Sequence, residues 1–286
     1  MCADECDIFP VASLDDERLA AYRNLKDRGL ARLGDRFIAE GELVVRRLLD
    51  SDYAVESVLL AERHVERIAP LVPAGVPIYA APAGVVNEIV GFRFHSGVIA
   101  CGRRRPAQSL AQVAPTWAGG VTLVVLPEVT KTDNLGALLR ISGGFGADAV
   151  ILGEHCCDPF YRQAVRVSMG AVFRLTLVRS RDLLADLRLL RARWGVELIA
   201  AALDDRAEPL AGARRGERVA LLFGNEAEGL TGEQLALCHR RVAIPMRLGT
   251  DSLNVAIAAA VFLYHFTADL PPGAALRPGS GGAMLP

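Results

Sequence analysis

Three polar clusters in this chain have residue types and spacings suited to chemistry, and each follows an apolar run that reads as a strand. The first is Thr132-Asp133-Asn134-Leu135-Gly136, with Arg140 about two turns further along a helical pattern. The second is Gly224-Asn225-Glu226-Ala227-Glu228-Gly229, directly after the apolar run 219–223. The third is Thr250-Asp251-Ser252-Leu253-Asn254, which follows Ile244-Pro245-Met246 and delivers its side chains to the start of an apolar helix. The second and third lie so close in sequence that they suggest one pocket built largely from backbone, with glycines allowing a ligand close approach. Each cluster also has a plainer reading. Asn134, Asp251 or Ser252 can cap a helix, and the glycines can serve an ordinary strand-to-helix turn. Arg140, among Ala137, Leu138, Leu139 and Ile141, either lies on the surface with a packed stem or projects into a site.

Common cofactor and metal patterns are missing. No G-x-G-x-x-G turn joins a strand to a helix; Gly143, Gly144 and Gly146 read as a helix C-terminal stop. Neither a P-loop nor a G-x-S-x-G elbow occurs, which argues against a dehydrogenase, a P-loop nucleotidase and an α/β-hydrolase. Glu154-His155-Cys156-Cys157-Asp158 concentrates potential ligands, but adjacent residues rarely reach one ion together, so no metal is expected. The six cysteines are too few and scattered for a disulfide framework in 286 residues, which implies reduced thiols. No apolar run is long enough for a membrane span and the acidic N-terminus has no signal core, so the expected location is cytoplasmic. A net charge of −1 gives no global pull toward nucleic acid; an RNA partner would need local arginine patches.

In order and content the three clusters resemble one family, the RNA ribose 2′-O-methyltransferases of the SpoU/TrmH branch of the SPOUT superfamily. Asn134-Leu135-Gly136 with Arg140 matches its first motif, and Gly224-Asn225-Glu226-Ala227-Glu228-Gly229-Leu230 its second. Ile244-Pro245-Met246 with Ser252-Leu253-Asn254-Val255-Ala256 matches its third. The stretch from Tyr161-Arg162-Gln163 to Ser168-Met169-Gly170 is similar to one that members carry between the first two. One departure is Lys131-Thr132-Asp133, standing where the first motif commonly has Asp-Pro. The resemblance covers roughly residues 121–267. More loosely, residues 13–101 resemble the ribosomal-protein-like substrate-binding domain of many members.

The resemblance implies a C-terminal parallel α/β domain with a deep trefoil knot, a rare exception to unknotted folding. It implies S-adenosylmethionine bound in the knot, with Gly224, Ile244 and Leu253 as contacts and Leu222 and Met246 extending the apolar wall. It places Asn134, Arg140, Glu226, Ser252 and Asn254 at the catalytic centre. The family proposal makes the arginine a base; because a guanidinium gives up its proton only at high cost, a grip on phosphate and on developing oxyanion charge is the alternative. The implied partners are structured RNA, ribosomal or transfer, and a second copy of the chain. RNA capture falls to Arg23, Arg28, Arg32, Arg36, Arg46 and Arg47, to Arg103, Arg104 and Arg105, and to Arg162 and Arg166. A catalytically silent, knotted RNA-binding protein is the competing reading.

The elements that must position these residues follow from periodicity. Residues 13–33 predict a helix with a basic face, and alternating strands and helices run from there to 101. Residues 103–120, rich in proline, glycine and arginine, read as an exposed linker between an RNA-binding domain at 13–102 and a methyltransferase domain at 121–268. The β-branched run 121–126 predicts a strand buried on both faces, and the strand–helix alternation after it predicts a parallel sheet with ligands at the carboxyl ends. Residues 1–12 read as an extension, and 269–286 as a disordered tail.

Overall fold

The computed structural model describes residues 7–11, 14–23, 25, 34–204, 206–247, 252–268 and 270. In chain order its first elements are β1 (Ile8–Pro10), β2 (Arg36–Glu40), α1 (Glu42–Leu49), β3 (Val55–Ala61), α2 (Val65–Ile68), β4 (Ile78–Ala81), α3 (Ala83–Val90) and β5 (Val98–Arg103). Then come α4 (Leu110–Val113), β6 (Val121–Leu126), α5 (Thr132–Gly144), β7 (Ala149–Leu152), α6 (Arg162–Val167), β8 (Leu177–Arg179) and α7 (Leu183–Trp194). The chain continues through β9 (Glu197–Ala201), β10 (Glu208–Pro209), β11 (Arg218–Phe223), α8 (Gly232–Leu237), β12 (Arg240–Ala243) and α9 (Val255–Thr267). These elements form two compact units.

The first unit holds the described residues up to Pro106 and also Phe160–Phe173. Its sheet has the order β1-β4-β3-β5-β2, parallel from β1 to β3 and antiparallel from β3 to β2. Leu59, Ile99, Ile38 and Val90 centre its core. The later segment, expected from sequence in the methyltransferase domain, belongs here for two physical reasons. Phe160 and Phe173 pack on Phe37 at 5.2 and 5.4 Å between ring centroids, with Tyr53 beside them. The Arg162 guanidinium donates to buried Glu40 and lies 4.9 Å over the Phe92 ring.

The second unit holds Ala107–Pro159 and the described residues from Arg174 onward. Its sheet is parallel throughout, in the order β10-β12-β9-β11-β6-β7-β8. Every residue of β6 is buried, as the unbroken apolar run requires of a central strand. Parallel strands bring the carboxyl ends of β6, β11 and β12 to one edge of the sheet. Helices α5 and α9 pack against each other over it, with Phe262 edge-on to Phe223 at 5.6 Å. Arg215 ties the sheet to the far end of α9, donating to the carbonyls of Phe266 at 3.0 Å and Glu217 at 3.1 Å.

Two sequence expectations change here. The exposed linker ends early: Ser109 opens α4 with a capping box, and Leu110, Val113 and Ala114 are buried in the second unit's core. The helix expected over 13–33 is, within the described residues, a short 3-10 turn at Glu17–Tyr22 capped by Asp16; residues 26–33, with Arg28 and Arg32, lie outside the described residues. So do Thr250, Asp251 and the tail beyond Leu270.

Glu40 is only 7% exposed and has Arg162 as its paired cation, with an Arg166 nitrogen 3.8 Å from the other carboxylate oxygen. Arg162→Ala is expected to destabilise the full chain by about 2–4 kcal/mol in urea denaturation, while the Glu40→Met/Arg162→Met double variant regains most of that loss.

Candidate functional site

Asn134 is the third residue of α5, since the helix begins at Thr132 with Lys131 in the N-cap position. The N-cap reading of Asn134 is therefore wrong, and its side chain is free to reach sideways. Its Nδ2 donates to Glu226 Oε1. Its Oδ1 accepts from Asn254 Nδ2 at 3.1 Å. Asn254 is itself the N-cap of α9, its Oδ1 accepting from Ala256 N at 2.9 Å. Three loops distant in sequence are thus joined by one chain of side-chain hydrogen bonds at the carboxyl edge of the parallel sheet. An amide has two N–H donors and two acceptor lone pairs. Asn134 uses one of each within the protein, leaving one donor and one acceptor position for a ligand.

Each participant is held by local structure. Asn134 precedes Leu135, Leu138 and Leu139, all fully buried, which fixes the rotation of α5 about its axis. Glu226 lies at the tip of a tight loop, where Asn225 and Gly229 exchange backbone hydrogen bonds of 3.0 and 2.9 Å. The Asn225 side chain also accepts from Ala227 N at 2.8 Å. Asn225 is a positioning residue that sequence reasoning passed over, although an asparagine opening a turn that ends in glycine is a legible signal. The loop has its own requirement for glycine at Gly224. A Cβ there would lie 2.3 Å from the carbonyl carbon of Gly229, so the close approach it permits is of the loop to itself.

Arg140 is exposed and makes no hydrogen bond or ion pair with any described residue. Ser252 is exposed and likewise has no hydrogen-bond partner among the described residues. Neither touches the amide chain. Ile244, Met246 and Leu253 are half-buried outside any strand or helix, and their backbone groups make no hydrogen bond with described residues. Leu222 departs from expectation: it is completely buried, packed with Leu123, Val125 and Ile151, and is out of a ligand's reach.

The arginines expected to capture RNA divide by their environment. Arg23 donates twice, at 2.8 Å, to the carbonyls of Leu14 and Asp16, and Arg47 donates to the Met169 carbonyl. With Arg162 on buried Glu40, these three are engaged with acceptors of the first unit itself. Arg46 pairs with Glu42 on the same helix at 3.1 Å. Arg36 and Arg103 share Glu56, Arg104 donates to the Arg36 carbonyl at 3.0 Å, and Arg105 stacks 4.7 Å over Tyr53. Arg166 bonds the Gln163 side chain at 2.8 Å. Arg36, Arg103, Arg105 and Arg166 remain about half exposed, and such surface pairs are weak enough for a phosphate to displace.

A parallel α/β sheet with a polar cluster where its central strands end defines a ligand-binding α/β protein of the kind that holds a nucleotide-type group at strand termini. The comparisons narrow this to a family. Residues 122–264 match the SpoU rRNA Methylase family. An uncharacterised tRNA/rRNA methyltransferase of Mycobacterium bovis is 40% identical, the match covering 92% of this chain and 93% of the relative. A 23S rRNA (guanosine(2553)-2′-O)-methyltransferase of Bacillus subtilis is 26% identical over 89% of this chain and 98% of its own. The crystal structure of an AdoMet-bound rRNA methyltransferase from Sinorhizobium meliloti superposes with a TM-score of 0.80 at 27% identity, covering 93% of this chain and all of that one. This chain belongs to the SpoU rRNA methylase family.

The amide chain separates two roles of Asn254, capping and bridging. Asn254→Asp keeps the cap but removes the donor to Asn134; whichever way the Asn134 amide then turns, one carboxylate faces its oxygen. Asn254→Asp is expected to hold thermal stability within about 0.5 kcal/mol of the parent, while Asn254→Ala loses about 1 kcal/mol. Both should lower turnover, and equal turnover in Asn254→Asp and the parent would remove the bridge from the site's function.

Proposed function

We propose that this protein is an S-adenosylmethionine-dependent methyltransferase acting on a ribose 2′-hydroxyl of RNA, with ribosomal RNA as its substrate. The observation that carries this reading is the hydrogen-bonded chain Glu226–Asn134–Asn254, which unites three family motifs at one sheet edge. The 23S rRNA 2′-O-methyltransferase of Bacillus subtilis to which this chain is similar supports the ribosomal choice.

The residues present suit the cofactor. Half-buried Ile244, Met246 and Leu253 combine apolar side chains with backbone donors and acceptors that have no partner among the described residues, which is the chemistry needed to hold an adenine ring and its edge. When bound, S-adenosylmethionine supplies a methyl group on a positively charged sulfur. The deep trefoil knot that the family motifs imply is part of this reading.

Arg140 does the work of charge. Its guanidinium is exposed and engaged with nothing else in the described protein, so it is available to grip a phosphate beside the target ribose and to stabilise charge growing on the 2′-oxygen. Acting as a base would require removing a guanidinium proton, which is costly at neutral pH. Asn134 offers its spare N–H and lone pair to the ribose hydroxyls, while Ser252 and Glu226 complete the polar wall. Orientation of this kind can contribute roughly 7–11 kcal/mol to an intermolecular reaction. The half-exposed arginines of the first unit supply the RNA-binding surface, and the ribosomal substrate places the enzyme in the cytoplasm.

A second copy of the chain is part of the reading. Ile257, Val261 and Tyr264 are 55%, 40% and 66% exposed and share one face of α9, an apolar stripe that a partner helix would cover. Ile257→Glu/Tyr264→Glu is expected to sediment as a monomer where the parent is a dimer; an unchanged dimer would take α9 out of the interface.

Mass mapping of ribose methylation in ribosomal and transfer RNA, incubated with enzyme and labelled cofactor, tests the function. Transfer to ribosomal RNA is expected. Cofactor binding without transfer to either RNA would instead establish the silent RNA-binding reading. Arg140→Ala should bind the cofactor as the parent does and lose at least about a hundredfold in turnover; unchanged turnover would exclude Arg140 from the mechanism.

A further inference from the structure

The loop between β6 and α5, Pro127 to Lys131, sets where Asn134 begins its helix, and its only anchor between its ends among the described residues is Val129. That residue is 1% exposed, and both of its backbone groups are held by one neighbouring loop. Val129 N donates to the Cys156 thiol sulfur at 3.3 Å, and Cys157 N donates to the Val129 carbonyl at 2.9 Å. The same thiol donates to the Leu126 carbonyl at 3.0 Å. Cys156 thus spans the end of β6 and the middle of the loop with one sulfur atom, donating on one side and accepting on the other.

The neighbouring loop is itself rigidly placed. Arg179 on β8 donates to the Cys156 carbonyl at 2.8 Å and to the Glu154 carbonyl at 3.2 Å. Glu154 Oε1 accepts from Leu183 N at 2.8 Å, at the start of α7. Gly153 N donates to the Leu126 carbonyl at 2.8 Å, and a Cβ at Gly153 would lie 2.2 Å from the Pro127 carbonyl oxygen. The two loops therefore touch backbone to backbone. Burial raises the Cys156 thiol's pKa, so it keeps the proton that it donates.

We propose that Cys156 is a positioning residue for the methyl-transfer site. Its thiol fixes Val129, and through Val129 the loop that sets Asn134 between Glu226 and Asn254. The sequence reading treated this cysteine as a failed metal ligand; its function lies in a bifunctional sulfur that neither alanine nor valine can imitate. A serine hydroxyl can donate and accept in the same two directions, at somewhat shorter distances.

The inference rests on the proposed activity for one of its readouts and is independent of it for another. Amide hydrogen exchange at Val129 reports the clamp whether or not the protein methylates RNA. In Cys156→Ala, Val129 exchange is expected to accelerate by about tenfold or more. Turnover on ribosomal RNA should fall by about tenfold at an unchanged cofactor Kd, and Cys156→Ser should restore most of both losses. Parental Val129 protection in Cys156→Ala would overturn the clamp. So would Cys156→Ser behaving like Cys156→Ala, because the loss would then be one of packing. Accelerated exchange with parental turnover would overturn the link to the site. If the wild-type protein transfers no methyl group, the activity reading fails, and the exchange experiment still decides the clamp.

Discussion

The site depends on the placement of one amide. Asn134 is held from opposite sides by residues 92 and 120 positions away, so no local segment can form the arrangement. It exists only after β6 and β11 are paired and α9 has come to rest on α5. An amide bonded at one end to a carboxylate and at the other to a second amide has little freedom to rotate. That restriction is what a reaction governed by alignment needs, because reorientation is completed on folding rather than at the moment of reaction.

The hydrogen bonds themselves do not supply the rigidity. A net contribution of about 1 kcal/mol each is typical, and less is expected where Glu226 and Asn254 are exposed. Rigidity comes from the apolar side of the same elements: Leu135, Leu138 and Leu139 beneath α5, and Val255, Ala256, Ala259, Phe262 and Leu263 beneath α9. Buried leucines permit only a narrow range of helix rotations, and Asn134 inherits that range. The polar chain then selects one side-chain rotamer from within it.

Much of this was legible from sequence because the signals were local. The unbroken apolar run of β6, the strand–helix alternation and the three polar clusters at strand ends all report on short windows of chain. The misplaced features depended on a partner far away. Nothing local distinguishes Leu222, completely buried in the sheet's core, from Ile244 or Leu253, half-buried outside any strand or helix, because apolar character alone does not report how deeply a residue is covered. The segment Phe160–Phe173 reads as one more helix of the second unit until Phe37, Tyr53 and Glu40 are seen to receive it. The arginines are the same problem in charge: sequence shows a cation, and only the structure shows that Arg23 and Arg162 already have acceptors while Arg140 has none among the described residues.

That contrast bears on how a nearly neutral protein can hold a polyanion. Arginines already engaged with carboxylates contribute little net field, and the chain's overall charge of −1 contributes none. Arg140 is different, since among the described residues its charge meets no competing carboxylate. Lys131, exposed at the N-cap of the same helix, adds positive charge at the entrance to that helix. In the proposed mechanism Arg140 grips a phosphate while Asn134 aligns the ribose, so the two act on the same few nucleotides. Exposed ion pairs such as that of Arg103 with Glu56 can exchange one partner for a phosphate at little energetic difference, which suits the RNA-binding surface proposed for the first unit.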